Sequence, residues 1–253
     1  MSDSVLTEVN GDVTTITINR PESLNSLNQE TFEAIGDAFA EAAKNTRAAI
    51  FTGNARAFSS GADLRGEAAE SQGIALDKAN AIIRSIIDLP IPTIAAVSGP
   101  SAGVGCSLSL ACDYLLMDEN SYLLLPFTNI GLMPDGGATA LVAASVGRHR
   151  ALRMALSAEK LQAADALAWG LASEVAPAGE YLNRAQELAA RFAQAPPQAI
   201  KATKHAINEA TLTSLGGAFE REERDQAGLR ASKDFAEGVA AFVEKRAPKF
   251  TGE

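Results

Sequence analysis

Two glycine-rich stretches, and one carboxylate inside the second, carry the residue types on which chemistry can be built. The first is Ser98-Gly99-Pro100-Ser101-Ala102-Gly103-Val104-Gly105-Cys106. It follows the apolar run Thr93–Val97 directly and precedes a helical pattern over Ser107–Cys112. A strand that enters a glycine-rich turn and then a helix leaves backbone N–H groups unpaired at the helix N-terminus. Such donors bind anions, among them the transient oxyanion of an acyl group. The second stretch runs from Leu125-Pro126-Phe127 to Pro134-Asp135-Gly136-Gly137, and Asp135 is its single acid. Amides that hold an enolate and one carboxylate that moves a proton are the minimum for acyl-thioester chemistry. Each piece also has a plainer use. Gly-rich strand-to-helix turns are common in α/β chains, and Pro-Asp-Gly is a favoured β-turn. It is the combination that points to a site.

Those residues have to be positioned by a core. At 253 residues and 47% hydrophobic, the chain can bury one full domain, or one domain with a helical extension. Net charge is −9 and the Lys and Arg residues are dispersed, which argues against a nucleic-acid surface. The start, Met1-Ser2-Asp3-Ser4, shows no basic n-region or apolar h-region. Apolar runs such as Ile91–Val97 are much shorter than the ~20 residues a membrane span needs. Cys106 and Cys112, six apart on one predicted helix, suit neither a disulfide nor a metal site, and buried free thiols are expected. Together these features predict a cytoplasmic protein that binds neither membrane nor metal.

In chain order, Val5–Glu8 and Val13–Asn19 alternate around Asn10-Gly11 and read as an antiparallel hairpin. Arg20-Pro21-Glu22 breaks the strand and Leu24–Leu27 is loop. Asn28 caps a helix to about Ala43, with Phe32, Ile35, Phe39 and Ala43 inward. Ala48–Thr52 is a short strand, followed by Ala57-Phe58-Ser59-Ser60-Gly61-Ala62-Asp63-Leu64. Asp63 is read as a turn brace, with a site acid as the alternative. Gly66–Ile74 is polar and aperiodic, so a mobile lining for the acyl end is expected there. Lys78–Leu89 is amphipathic, with Ala81, Ile82, Ile86 and Leu89 assigned to one side, and Pro90 and Pro92 end it. Strands are expected at Thr93–Val97 and Tyr114–Met117, and an apolar run spans Tyr122–Leu125. Helices are expected over Gly137–Val146, Arg148–Leu156, Tyr181–Gln194, Gln198–Leu212, Ala218–Leu229 and Phe235–Glu244. Strand patterns alternate with helices up to about residue 175 and then stop. That predicts an α/β core over 1–195 and a helical region over 196–253 for oligomerisation and site cover.

Six of these segments are similar to those of the crotonase superfamily, the enoyl-CoA hydratase/isomerase family. They are Arg20–Leu27, Ala57–Leu64, Ile91–Cys106, Ala111-Cys112-Asp113, Ile130–Ala138 and the ending Lys245–Phe250, all in the family's order. The resemblance implies a spiral of repeated ββα units, a helical trimerisation region giving a homotrimer or dimer of trimers, and a CoA thioester as substrate with no permanently bound cofactor. It places the two oxyanion donors on the backbone amides of Ala62 and Val104. Valine at the second position departs from the usual glycine and implies a narrower acyl pocket. The family's hydratases use two glutamates; here those positions hold Ser107 and Phe127, so two-glutamate hydration is not expected. Asp135 falls where isomerase-type and dehalogenase-type members carry an aspartate. The dehalogenases need a tryptophan eight residues earlier, where this chain has Phe127 lining the site. The resemblance therefore implies an enoyl-CoA isomerase with Asp135 as single proton shuttle. A hydratase using a non-standard residue and a non-catalytic acyl-CoA-binding protein are the alternatives. CoA contacts are expected from Arg20, Glu22, Leu24 and Ser60, and from Lys249 and Phe250 in the tail.

Overall fold

A computed structural model describes residues 3–64 and 74–253. Residues 65–73, which include most of the expected acyl-end lining Gly66–Ile74, lie outside the described residues. The hairpin forms as expected: β1 (Val5–Asn10) pairs antiparallel with β2 (Val13–Ile18). Asn28 caps α1 (Gln29–Asn45) by accepting from the Thr31 N–H at 2.9 Å. β3 (Ala48–Thr52), α2 (Leu76–Ile87), β4 (Thr93–Val97), β5 (Pro100–Ala102), α3 (Val104–Leu110), β6 (Tyr114–Asp118) and β7 (Tyr122–Leu124) follow. Beyond these lie α4 (Ala138–Val146), α5 (Arg148–Ser157), β8 (Leu161–Gln162), α6 (Ala163–Trp169), β9 (Glu174–Ala176) and α7 (Tyr181–Ala193). The last three helices are α8 (Pro197–Thr211), α9 (Leu215–Arg230) and α10 (Lys233–Glu244).

Six strands build the main sheet in the order β1-β2-β3-β4-β6-β9, parallel from β2 onward, while β5, β7 and β8 form a smaller second sheet. The central strands β3 and β4 are buried along their whole length, so alternate residues feed two cores. Phe51, Ala95, Val97 and Met117 face the larger one, shared with α1, α2 and α3. Ile50, Ile94, Ala96 and Leu116 face the other, where α7 lays Tyr181, Ala185 and Leu188. Phe39, Phe51 and Phe58 stack edge to face with centroids 5.3 and 5.0 Å apart, tying α1 to the strand and to the loop after it. The larger core runs without a break into Leu215 and Phe219 of α9. Among the described residues, no helix is long and apolar enough to cross a membrane.

Six elements differ from expectation. The third helix starts at Val104 rather than Ser107, because Gly103 at φ +54° already turns the chain onto the helix axis. The strands β5, β8 and β9 are two or three residues long, too short to show alternation. Phe127 begins a 3-10 turn, Phe127–Ile130, that follows the apolar run. On α2 the inward face is rotated from the expected one. Asn80, Ile83 and Ile87 are buried, and Ala81 is exposed.

Candidate active site

Two glycines bring the loops together. Gly61 has φ +95° and Gly103 φ +54°, a conformation that L side chains rarely adopt. A Cβ on Gly61 would lie 3.0 Å from the Ala102 carbonyl oxygen, and one on Gly103 would lie 3.6 Å from the Gly61 Cα. The loops therefore touch backbone to backbone. Gly105, the second residue of α3, is packed so closely that an added Cβ would meet the Ser59 Cβ at 2.6 Å.

Peptide planarity then fixes where the next amides point. The Gly61 carbonyl accepts from the Leu27 N–H at 2.8 Å, and the Asp63 N–H donates to the Leu27 carbonyl at 2.8 Å. In a trans peptide the N–H is opposite the C=O, so the Ala62 N–H points away from Leu27. The Gly103 carbonyl accepts from Cys106 and Ser107 within α3, at 2.9 and 3.3 Å. The Val104 N–H is therefore directed out of the helix N-terminus. Among the described residues, neither amide donates a hydrogen bond. Two unpaired donors, one from each touching loop, are the elements of an oxyanion hole.

Asp135 lies about one helical turn along α3 from Val104, through Ser107. The Ser107 hydroxyl donates to the Asp135 backbone carbonyl at 2.7 Å, and a Cβ on Gly136 would come within 3.0 Å of the Ser107 Cβ. The carboxylate is 5% exposed. Its Oδ2 accepts from Gln226 Nε2 at 2.9 Å, whereas Oδ1 is buried with no hydrogen-bond partner among the described residues. Burial pushes the carboxyl up to about 6, against the opposing effects of the Gln226 hydrogen bond and the Arg230 charge. The buried Glu222 carboxylate raises it further. A group that titrates at that value is suited to taking and returning a proton near neutrality. Phe127, 7% exposed, sets its ring 4.0 Å from the Cβ position of Gly103, so it closes one side of the loop contact. Leu132 is also buried.

Sequence reasoning expected the helix over Ala218–Leu229 but missed that its polar residues hold this turn. On α9, Glu222, Gln226 and Arg230 recur every four residues and line one face. Glu222 is 1% exposed and accepts from the Gly137 N–H at 2.7 Å and the Thr139 N–H at 3.1 Å, which caps α4. Burial raises its own pKa, and those donors oppose the rise. Gln226 also clasps Met133, accepting from its N–H at 3.2 Å and donating to its carbonyl at 2.9 Å. A signal was present. The buried stripe Leu215, Ala218, Phe219 continues at helical spacing onto Glu222 and Gln226, so polar side chains occupy core-facing positions.

The expected CoA contacts are distributed unevenly. Arg20 is a brace: its guanidinium donates to the Ser26 carbonyl at 2.6 Å and to Asp63 Oδ2 at 3.2 Å. Asp63 is thereby a turn brace as well, with a further bond from the Ser26 hydroxyl. Leu24 is exposed in the left-handed region at φ +54°, and its carbonyl accepts from the Ser60 N–H at 3.0 Å. Glu22 and Ser60 are exposed beside it, so these residues form one surface next to Ala62. Lys249 and Phe250 are exposed on the tail, which is tied to α10 through Glu237 and Asp234. Among the described residues, no hydrogen bond or ion pair joins them to the two loops. Cys106 is buried and Cys112 half-buried; both are free, and burial pushes each thiol up to about 12. Among the described residues, no three His, Cys, Asp or Glu side chains gather into a metal site.

With this geometry in view, comparison with known proteins is informative. Residues 8–253 match the family model described as enoyl-CoA hydratase/isomerase. A probable enoyl-CoA hydratase of Rhodobacter capsulatus is 38% identical over 97% of this chain and 96% of its own. The 1,2-epoxyphenylacetyl-CoA isomerase of Escherichia coli is 34% identical over the full length of both chains. A crystal structure of an enoyl-CoA hydratase from Mycobacterium avium subsp. paratuberculosis superposes with a TM-score of 0.91, at 46% identity and 98% coverage of each chain.

Proposed function

The chain belongs to the enoyl-CoA hydratase/isomerase family, and from that premise we propose that it is an enoyl-CoA isomerase working through one acid. In this reading the thioester oxygen of a β,γ-unsaturated acyl-CoA accepts from the Ala62 and Val104 amides. The Asp135 carboxylate takes a proton from the α-carbon. The freed electron pair moves into the carbonyl, giving a dienolate whose oxyanion the two amides hold. Asp135, now protonated, returns the proton to the γ-carbon as the double bond moves into conjugation. No atom is gained or lost, and no second acid is needed. One amide donor of this kind is typically worth ~3 kcal/mol of transition-state stabilisation.

The observation that carries the reading is the Asp135 carboxylate: buried, titrating at about 6, with one oxygen held by Gln226 and the other unpartnered. Ser107 and Phe127 occupy the places where a hydratase of this family needs carboxylates to position water and protonate carbon, which weighs against hydration. The full-length relative named as an isomerase points the same way, while the relatives named as hydratases keep hydration as the competing reading.

Asp135→Asn decides between them. With β,γ-enoyl-CoA in deuterated water, the variant is expected to lose both double-bond migration and α-carbon deuterium exchange while still binding CoA esters. Wild-type turnover in that variant rejects the assignment. Absence of exchange in the unaltered protein, despite tight binding, identifies a non-catalytic acyl-CoA binder. We also assign residues 196–253 to oligomerisation and site cover. Supporting this, α8 buries none of its residues, and Ile207, Phe242 and Val243 stay more than half exposed. A monomer in light scattering overturns the oligomerisation part.

A further inference from the structure

Asn80 on α2 is 93% buried, yet among the described residues neither its Nδ2 nor its Oδ1 has a hydrogen-bond partner. The orientation of α2 shows what it faces. Ile83, three residues on, sets its Cδ1 2.8 Å from the position a Cβ would take on Gly136. Arg84, four residues on, stacks over the Phe219 ring of α9 at 5.6 Å. On a helical wheel Asn80 lies between these two directions. It therefore points into the angle between the Asp135 turn and α9. Ile82 packs instead on Gly36 of α1, which puts α1 on the opposite side of the helix. Nearer the start of α2, Arg230 donates to the Ile74 carbonyl at 3.5 Å. Asn80 thus sits between the Phe219 and Arg230 levels of α9, the interval in which Gln226 holds Asp135. Asp135 Oδ1, on the turn that Gln226 clasps, is likewise buried without a hydrogen-bond partner among the described residues.

A buried carboxamide with donor and acceptor both unpaired is costly, because each group has lost its water without gaining a partner. A plain hydrocarbon chain laid beside it leaves that cost in place. A hydroxyl or ring oxygen on the chain removes part of it. We propose that Asn80 is a substrate-binding residue that hydrogen-bonds an oxygen substituent on the acyl chain beside the reacting carbons, so that the site takes oxygen-bearing acyl-CoAs over plain alkenyl ones. This rests on the Ala62, Val104 and Asp135 reading for the position of the acyl chain. Discrimination arises because a site built to pair an oxygen is left with unpaired groups when the oxygen is missing.

The test is binding of non-reactive esters, which requires no turnover. Dissociation constants of 3-hydroxybutyryl-CoA and 4-hydroxybutyryl-CoA are each compared with butyryl-CoA by calorimetry, for the full chain and for Asn80→Leu. The unaltered protein is expected to favour one hydroxylated ester by about tenfold or more, and Asn80→Leu is expected to bring that ratio close to one. Asn80→Ala, which introduces no bulk, serves as a second variant, and thermal melting verifies that each is folded. Equal affinities in the unaltered protein, or a preference that survives both substitutions, overturns the proposal. Deuterium exchange at the α-carbon of a β,γ-enoyl-CoA is measured in parallel. Exchange without a hydroxyl preference defeats the Asn80 assignment alone. A preference without exchange defeats the isomerase reading and leaves Asn80 as a binding residue.

Discussion

Gln226→Leu isolates the one side chain that holds the proposed acid. Its amide donates to Asp135 Oδ2 at 2.9 Å, and that bond opposes the rise in pKa caused by burial. A hydrogen bond to a charged group contributes ~1.5–3 kcal/mol, and 1.36 kcal/mol corresponds to one pH unit. Removing it is expected to move the Asp135 midpoint from about 6 up by about one unit. The ionised fraction at pH 6 then falls from about one half to about one tenth, a loss of about fivefold. At pH 7 the loss is about twofold, and near pH 8.5 the two proteins converge. The assay is kcat/KM for a β,γ-enoyl-CoA from pH 5 to 9, read from the rise in conjugated-enoyl absorbance. The free-enzyme pKa governs the acidic limb of that profile. Leucine also releases Met133 from the clasp, and a loosened turn would lower the rate alike at every pH. Recovery at high pH separates the two causes. A limb still at 6 in the variant, or a limb near 4 in the parent, refutes the reasoning.

Glu222→Gln is expected to shift the same limb the other way, below 6, because it removes the buried charge that raises the Asp135 pKa; an upward shift in the pH–rate profile counts against it. Val104→Pro deletes one oxyanion donor at the first helical position, where proline is tolerated and the N–H makes no intrahelical bond. It should cost ~10²–10³ in kcat with little change in melting temperature, and undiminished turnover removes Val104 from the hole. Asp135→Asn should gain stability as it loses activity. The folded acid keeps its proton up to about 6 while the unfolded chain releases it near 4, so folding loses stability as pH rises between those values. The two-unit gap is worth ~3 kcal/mol at pH 7 as an upper estimate. Urea midpoints should therefore favour the variant at pH 7 and coincide at pH 4, and equal midpoints at pH 7 contradict the burial account.

Much of this was legible from residue order because local rules and global packing agree. Asn10-Gly11, the Asn28 cap and the two glycine loops each specify their own geometry with residues adjacent in sequence. The face of α2 was misread for a physical reason. A polar residue at the inward position 80 broke the apolar period, and the reading shifted the stripe toward Ala81. The Asp135 environment was legible only in part. Its place as the single acid among apolar residues is visible in the sequence, and burial is the first cause of its raised pKa. The hydrogen bonds from α9 were not legible, because they join residues distant along the chain and no local motif announces them.

The distance from acid to clasp has a temporal side. Gln226 is 91 residues beyond Asp135, and Glu222 is 85 beyond Gly137. On a ribosome both oxyanion loops emerge first, and the helix that orients the carboxylate follows about 5–20 s later at ordinary synthesis rates. The clasp on Asp135 and the cap on α4 can therefore form only as translation nears its end.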